Sequence, residues 1–437
     1  MYNLECRLLE SFDVGLNEAG ISGQRLAGRL SAISEIGLTE QHGSCRIGFS
    51  QEEKQAKEVV ASWMKAVGLK VTTDAAGNVF GRLEGIDPTL PAVLCGSHID
   101  TVPNGGHFDG VLGILLALEV AEAWKETGYV PRRSFEVVIF SDEEGTRFNS
   151  GLTGSSALAG TIKVSDLHAL IDHDNRTFKE VVEQVGLSAE RFTEAKRDLT
   201  QVAAFIEVHI EQGDTLEHED LPIGIVSGIA GLGGLEMTLK GHAGHAGSTR
   251  MNNRRDALVA ASKIVLAIEE LPRRISQTAV ATVGQLNVYP NGANVIPGEV
   301  KLSVDIRDID KISLDRLIAQ IVETAGNIAA ECNIEFSCRE VYSTPPIQVS
   351  ETLRDLQMDI VSKLGMRPML IPSGAGHDAM ILGQFLPMAM FFVRSSMGIS
   401  HNPREWTSLD DCVIAAKALN RFLQKLCTSS LLEKKEG

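Results

Sequence analysis

The sequence predicts an α/β protein: a mixed sheet flanked by helices, interrupted by an inserted β-α-β-β-α-β domain. Three observations predict it. Near-continuous apolar runs of strand length at 92–97, 135–140, 203–208 and 388–393 alternate with helical stretches such as 111–124 and 410–426. Strands that are apolar throughout are covered on both faces. The rhythm then changes between about 219 and 344, and 437 residues is too long for one ordinary core.

Residues 1–70 read as helical, with a capping signal at Ser50 and Glu53 before an apolar-periodic run to Gly68. Short strands follow at 71–73 and 78–83. The inserted stretch reads as strand 235–239, helix 255–271, strands 279–288 and 299–306 joined through Pro290-Asn291-Gly292, helix 314–330 and strand 334–339. Its sheet is expected to keep one exposed face and a free edge, which suits dimerisation. Linkers are read at 218–221 and 344–346.

Composition narrows the function classes. Hydrophobic residues make up 43% and charged residues 22%, as in globular proteins. The formal net charge of −16 argues against nucleic acid as a partner. No apolar run is long enough for a membrane span, and the acids at Glu5, Glu10 and Asp13 do not fit a signal peptide. Seven cysteines without a C-x-x-C pair read as free thiols in a reducing compartment, so a cytoplasmic location is expected.

The chemistry gathers where the apolar strands end. His98 and Asp100 follow the first, Asp142-Glu143-Glu144 the second, His209 the third, and His401 the fourth after a short loop. Sites in open α/β sheets form at the carboxyl ends of strands. One such histidine would more often be structural; four strand ends bearing His or Glu are harder to dismiss. Imidazoles and carboxylates suit zinc and similar ions. His98 is a candidate ligand, and Asp100 stands where it can hold the other ring nitrogen. Asp109, among glycines just before a helix, can bridge two ions; in isolation it reads as an N-cap. Of Glu143 and Glu144, one can bind metal while the other acts as general base. His107 reads as a loop residue beside the site. His242 and His245 lie on a glycine-rich loop of the inserted domain, and His377 on a turn before the last strand.

Eight stretches carry a resemblance: GSHIDTVPNGGHFDGVLG (96–113), SDEEGTRF (141–148), VHIEQG (208–213), GHAGHAGSTRM (241–251), NVIPG (294–298), DIRD (305–308), SGAGHDA (373–379) and GISHNP (398–403). In this order they resemble the peptidase M20-like amidohydrolases, in the branch of N-carbamoyl-L-amino-acid hydrolases and allantoate amidohydrolases. The resemblance implies a two-metal catalytic domain at 1–218 and 345–437, and an inserted lid at 219–344 through which a homodimer forms. It implies two divalent ions, Zn²⁺ or Mn²⁺, Co²⁺ or Ni²⁺, held by His98, Asp109, Glu144, His209 and His401, with Asp109 as the bridge. Glu143 matches the general base. Gln212, His245, Asn294 and Arg307 match substrate-contacting positions, with His245 stabilising the tetrahedral oxyanion and Arg307 gripping a carboxylate. His245 and Asn294 match lid residues delivered from the partner subunit.

The implied substrate is a small ureido acid. Its carbonyl is resonance-stabilised, so cleavage needs an activated water and a polarised oxygen. Two departures are visible. The usual NHAG reads Gly244-His245-Ala246-Gly247, and a Thr-Thr-Pro-Met run is replaced by Ser248-Thr249-Arg250-Met251. Allantoate-cleaving relatives resemble one another in an arginine after the position of Gly231; here Leu232-Gly233-Gly234-Leu235 carries none. The expectation is therefore an N-carbamoyl-L-amino acid, with allantoate as the alternative. An aminopeptidase or acylase activity fits the NVIPG and DIRD stretches less well. A catalytically dead binding protein is disfavoured by the complete ligand set and Glu143.

Overall fold

The computed structural model describes residues 3–428. Two units divide the chain. One comprises residues up to Ser227, Val349–Ile371 and those from His377 onward; the other comprises Gly228–Gln348 and Pro372–Gly376.

A nine-stranded mixed sheet has its centre in the first unit. Its order is Lys70–Thr73, Val79–Leu83, Phe135–Phe140, Ala92–His98, Val202–Ile210, Met388–Val393, Ile223–Ile229 and Ile347–Gln348, and Leu370–Ser373 also pairs with Ile223–Ile229. The four central strands are mutually parallel, and they are the four apolar runs. Every residue in them is buried. Parallel strands need crossover connections that lie on the faces of the sheet, so both faces must be apolar. Outside them, Val79–Leu83 pairs antiparallel with Lys70–Thr73 and Phe135–Phe140, and Ile223–Ile229 pairs antiparallel with Met388–Val393 and Ile347–Gln348.

Helix Val111–Thr127 is buried on nearly every face. It packs on Ala92–His98 and Val202–Ile210, and against helices Gly23–Ser34 and Leu409–Thr428. That explains its lack of a polar stripe. Gly113 permits the close approach: a Cβ there would lie 2.2 Å from the Val208 carbonyl oxygen. The helix stops at Gly128, whose φ of +70° is the left-handed cap.

Several local expectations are revised. Residues 1–70 are not continuously helical: helices Leu4–Leu9, Gly23–Ser34 and Gln51–Val67 are separated by turns. Around 35–50 the chain instead wraps the fully buried Arg46, which donates to the carbonyls of Ile33, Ile36 and Ile99. Ser50 caps its helix by accepting from Glu53 N, while Glu53 reaches back to Phe49 N rather than to Ser50. The third apolar strand continues to Ile210, so His209 lies inside it. Strand Ile223–Ile229 and helices Thr153–Ala159, Phe178–Gln184 and Glu351–Lys363 were not expected from the sequence pattern. Among the described residues no helix is long and apolar enough to cross a membrane.

The second unit runs strand Gly231–Lys240, helix Ala257–Glu270, strands Val280–Tyr289 and Glu299–Asp308, helix Lys311–Glu331 and strand Glu335–Thr344. Its four long strands form an antiparallel sheet with Glu335–Thr344 and Val280–Tyr289 at the edges. Alternation with period two sends Leu235, Met237 and Leu239, and Val300, Leu302, Val304 and Ile306, into a core completed by Ile264, Leu317 and Ile321 of the two helices.

A buried ion-pair cluster ties Gly23–Ser34 to Val111–Thr127. Glu119 is fully buried and accepts from Ser22 N at 2.7 Å and from Arg25 Nε and Nη2 at 2.8 and 2.6 Å. Glu119→Ala should destabilise the chain by about 2 kcal/mol, since it removes the buried acceptor of Ser22 N and of Arg25 Nε and Nη2 while Arg25 keeps its contact with Glu126. Urea unfolding followed by circular dichroism checks this; an unchanged midpoint would contradict it.

Candidate metal centre

The carboxyl ends of the central strands converge on Asp109. His98 ends its strand, and its Nδ1 lies 3.1 Å from the Asp100 carbonyl oxygen. A carbonyl only accepts, so Nδ1 carries the proton and Nε2 faces the site with a free lone pair. His209 is fixed the same way, with Nδ1 3.0 Å from the Ile210 carbonyl. From His98 Nε2 and His209 Nε2 to Asp109 Oδ1 the distances are 3.5 and 3.0 Å. On the other side, His401 Nε2 is 3.3 Å from Asp109 Oδ2 and 3.4 Å from Glu144 Oε2.

Two triads result: His98, Asp109 and His209, and Asp109, Glu144 and His401, each with donor atoms within 4.8 Å of one another. They share Asp109, which turns a different oxygen to each. That is the geometry of a carboxylate bridge between two cations. Glu144 Oε1 and Gln212 Oε1 are buried without a hydrogen-bond partner, as cation ligands left to themselves would be. The donor set of imidazole nitrogen and carboxylate oxygen fits zinc and the related divalent metals.

Local backbone geometry builds this arrangement. Gly110, at φ +64°, separates Asp109 from the helix; a Cβ there would sit 2.5 Å from the His98 ring. Asp100 lies with its carboxylate 3.6 Å from His98 Nδ1, and its two oxygens accept from the backbone of Glu143 and Glu144, each at 3.1 Å. Asp100 therefore sets the turn that carries both glutamates. Glu143 Oε2 comes to 3.7 Å from His98 Nε2, so the adjacent glutamates address different triads.

The electrostatics are those of crowded, buried carboxylates. Burial works to raise Asp109, but His209, His401 and His98 hold it well below the usual carboxylate range. Glu144 is pushed up to about 7 by burial and then by Asp109. Burial, with Glu144, Asp378 and Asp100, raises Glu143 well above its ordinary value although His98 opposes this. His401 is raised to about 9, first through its hydrogen bond with Asp109. Such an array gains most from added positive charge.

The other predicted residues fall in two places. Gln212 is inside the cluster: its Nε2 donates to Asp109 Oδ2 at 2.9 Å. His245, Asn294 and Arg307 belong to the second unit. There, Gly244–His245 pairs with Val295–Ile296, and Ala246 N donates to the Asn294 carbonyl, so His245 and Asn294 sit on one small ladder. His245 Nδ1 accepts from Gly247 N and Ser248 N at 3.0 and 3.2 Å, which leaves Nε2 as the protonated, donating nitrogen. Arg307 is held by Asp305 at 2.7 Å, which Tyr342 in turn contacts at 2.9 Å, and it donates to the Gly374 carbonyl.

Among the remaining histidines, His107 bonds Ser44 Oγ and the His42 carbonyl, and is lowered to about 4 by burial and Arg46. His377 is buried with its ring centroid 4.4 Å from that of His209. His242 is exposed, its backbone N–H donating to the Arg255 carbonyl. Sequence reasoning passed over Glu405 and Ser400. Glu405 is buried and accepts from Phe108 N and Asp109 N at 2.9 and 3.1 Å. Ser400 Oγ lies 2.9 Å from Asp109 Oδ2. Their one signal is adjacency to His401 in Ser400-His401-Asn402-Pro403-Arg404-Glu405.

Residues 94–425 match the family described as Peptidase family M20/M25/M40. The chain is 43% identical over 406 residues to the N-carbamoyl-L-amino acid amidohydrolase of Geobacillus stearothermophilus, covering 93% of this chain and 99% of that one. It is 35% identical over 398 residues to the allantoate amidohydrolase of Bacillus subtilis, covering 90% and 95%. Among solved structures, the hydantoinase/carbamoylase family amidase of Burkholderia multivorans superposes with a TM-score of 0.87 at 32% identity, covering 94% of this chain and 99% of that one.

Two outcomes are expected. Gly110→Ala should weaken divalent-metal binding about tenfold or more by displacing the His98 ring, measured by equilibrium dialysis with circular dichroism as the folding control. Metal affinity should rise with pH up to about 9, because His401 and Glu144, at about 9 and about 7, must give up protons to bind. Calorimetry in buffers of different ionisation enthalpy reads that proton release; an affinity flat with pH would contradict it.

Proposed function

The chain belongs to peptidase family M20/M25/M40, and from that premise we propose that it hydrolyses the carbamoyl C–N bond of an N-carbamoyl-L-amino acid, giving the L-amino acid, ammonia and CO₂. The observation that carries this reading is the shared Asp109 carboxylate, with one oxygen toward each of two His-carboxylate triads. Relatives at 40–43% identity with N-carbamoyl-L-amino-acid amidohydrolase names support the substrate class.

His98, Asp109 and His209 would hold one divalent ion, and Asp109, Glu144 and His401 the other. When bound, such ions supply Lewis acidity and lower the pKa of water. Glu143 takes the proton of the attacking water and passes it to the leaving nitrogen; its raised affinity for a proton suits a group that must first accept and then donate. His245, with Nδ1 occupied by two backbone N–H groups, presents Nε2–H to the tetrahedral oxyanion. Arg307, already oriented by Asp305, grips the substrate carboxylate in a bidentate pair. Gln212 and Asn294 complete the polar contacts. The same reading has the second unit as a lid and makes the protein a homodimer, with His245 and Asn294 delivered from the partner subunit; the free sheet edge at Val280–Tyr289 supports it.

Allantoate is the second reading, supported by the 35% identical relative; the absence of arginine in Leu232-Gly233-Gly234-Leu235 weighs against it. Ammonia release should be measured for N-carbamoyl-L-amino acids, allantoate, N-acetyl amino acids and dipeptides, with Zn²⁺, Mn²⁺, Co²⁺ or Ni²⁺ added. Turnover of N-carbamoyl-L-amino acids is expected, and turnover of allantoate alone would reverse the ranking. Glu143→Gln should lower kcat by about 10²–10⁴ with metal content retained; full activity would refute the general-base role. Arg307→Ala should raise KM for carboxylate substrates by about tenfold or more, and an unchanged KM would remove the clamp.

A further inference from the structure

Asp109 must do more than lie between two triads: its carboxylate plane has to be fixed so that each oxygen keeps to its own side. A free carboxylate rotates about its Cβ–Cγ bond, and within the triads only His401, 3.3 Å from Oδ2, opposes a turn of that oxygen toward His98 and His209. The structure shows where that rotation is stopped. Ser400 Oγ lies 2.9 Å from Asp109 Oδ2 and 3.0 Å from Glu405 Oε2, so the hydroxyl stands between the two carboxylates with its one proton available to Asp109. Glu405 Oε1 meanwhile accepts from the backbone N–H groups of Phe108 and Asp109. Glu405 thus holds both the main chain at Asp109 and, through Ser400, its side chain. Gly106 is shaped for this contact, since a Cβ there would come within 2.0 Å of the Glu405 carboxyl carbon.

We propose that Glu405 and Ser400 are positioning residues that lock the Asp109 carboxylate in its bridging orientation and thereby create the second cation site, the one with Glu144 and His401. The proposal rests on the two-metal reading above. The brace acts on Oδ2, the oxygen that faces His401. Gln212 Nε2 also donates to Oδ2, at 2.9 Å. Hydrogen bonds from Ser400 and Gln212 pin that oxygen's plane and leave it directed at the second triad. The brace works through shape and donors rather than negative charge. A glutamine at 405 can still accept both backbone N–H groups and can donate its amide to Ser400 Oγ, which then gives its own proton to Asp109.

The test is a titration of the metal-free full chain with Co²⁺, followed by its visible absorption and by calorimetry, with near-UV circular dichroism as the control for folding. The parent should bind two ions. Ser400→Ala and Glu405→Ala should keep one tight ion and weaken the other by about tenfold or more, whereas Glu405→Gln should bind both within about threefold of the parent, about 0.65 kcal/mol. If Glu405→Ala does not fold, Ser400→Ala, which removes one hydroxyl, decides the matter. Two ions bound by Ser400→Ala with parental affinity would overturn the proposal. So would a loss in Glu405→Gln as large as in Glu405→Ala, which would make the charge and not the brace the operative feature. A parent that binds only one ion would overturn the two-metal reading beneath it.

Discussion

One buried carboxylate organises the first unit. Asp109 has its two oxygens turned to opposite histidine-containing triads, and the surrounding elements keep it there. Burying a carboxylate without compensation is costly, and here Asp100, Asp109, Asp142, Glu207, Asp378 and Glu405 are all buried. Protonation or bound cations must offset that concentration of negative charge, and burial already pushes Glu144 up to about 7. The parallel centre of the sheet makes the crowding possible, because it brings several strand ends of the same polarity to one rim. Gly110 and Gly106 leave the space that the His98 ring and the Glu405 carboxylate fill.

The proposed chemistry divides between groups with different preparation. His98 and His209 each spend Nδ1 on a backbone carbonyl and so offer Nε2 as a ligand. His245 has the reverse tautomer, with Nδ1 accepting from the backbone, and so offers a donor. In the proposed function the same side chain would serve as metal ligand in one unit and as oxyanion donor in the other, with the tautomer set by main-chain partners. Arg307 is prepared in a similar way, with Asp305 two residues away on the same face of its strand and Tyr342 behind it.

The legible part of this molecule was the part that follows a period. The four buried strands announced themselves as unbroken apolar runs, and the inserted unit as alternating strands and amphipathic helices. Strand Ile223–Ile229 was missed because two glycines and a serine interrupt it, and this moved the boundary of the second unit to Gly228. The helices between 153 and 184 are short and pack around Phe178 and Phe192, so tertiary contacts rather than pattern define them. At the site, residues that follow strands could be placed from the sequence, while Glu405 could not. A glutamate in a loop is ordinarily solvated, and only the fold shows that it is buried against the Asp109 backbone. The tautomers of His98, His209 and His245 were likewise invisible, since they depend on which carbonyl or amide stands beside each ring.

The central claim is that Asp109 joins two cations. It is tested most directly by a crystal structure of the metal-loaded protein, with anomalous scattering collected at the absorption edge of the added metal. The account predicts two anomalous peaks, one beside His98 and His209 and the other beside Glu144 and His401, with a different Asp109 oxygen on each. A single peak, or two ions that share no Asp109 carboxylate, would contradict it.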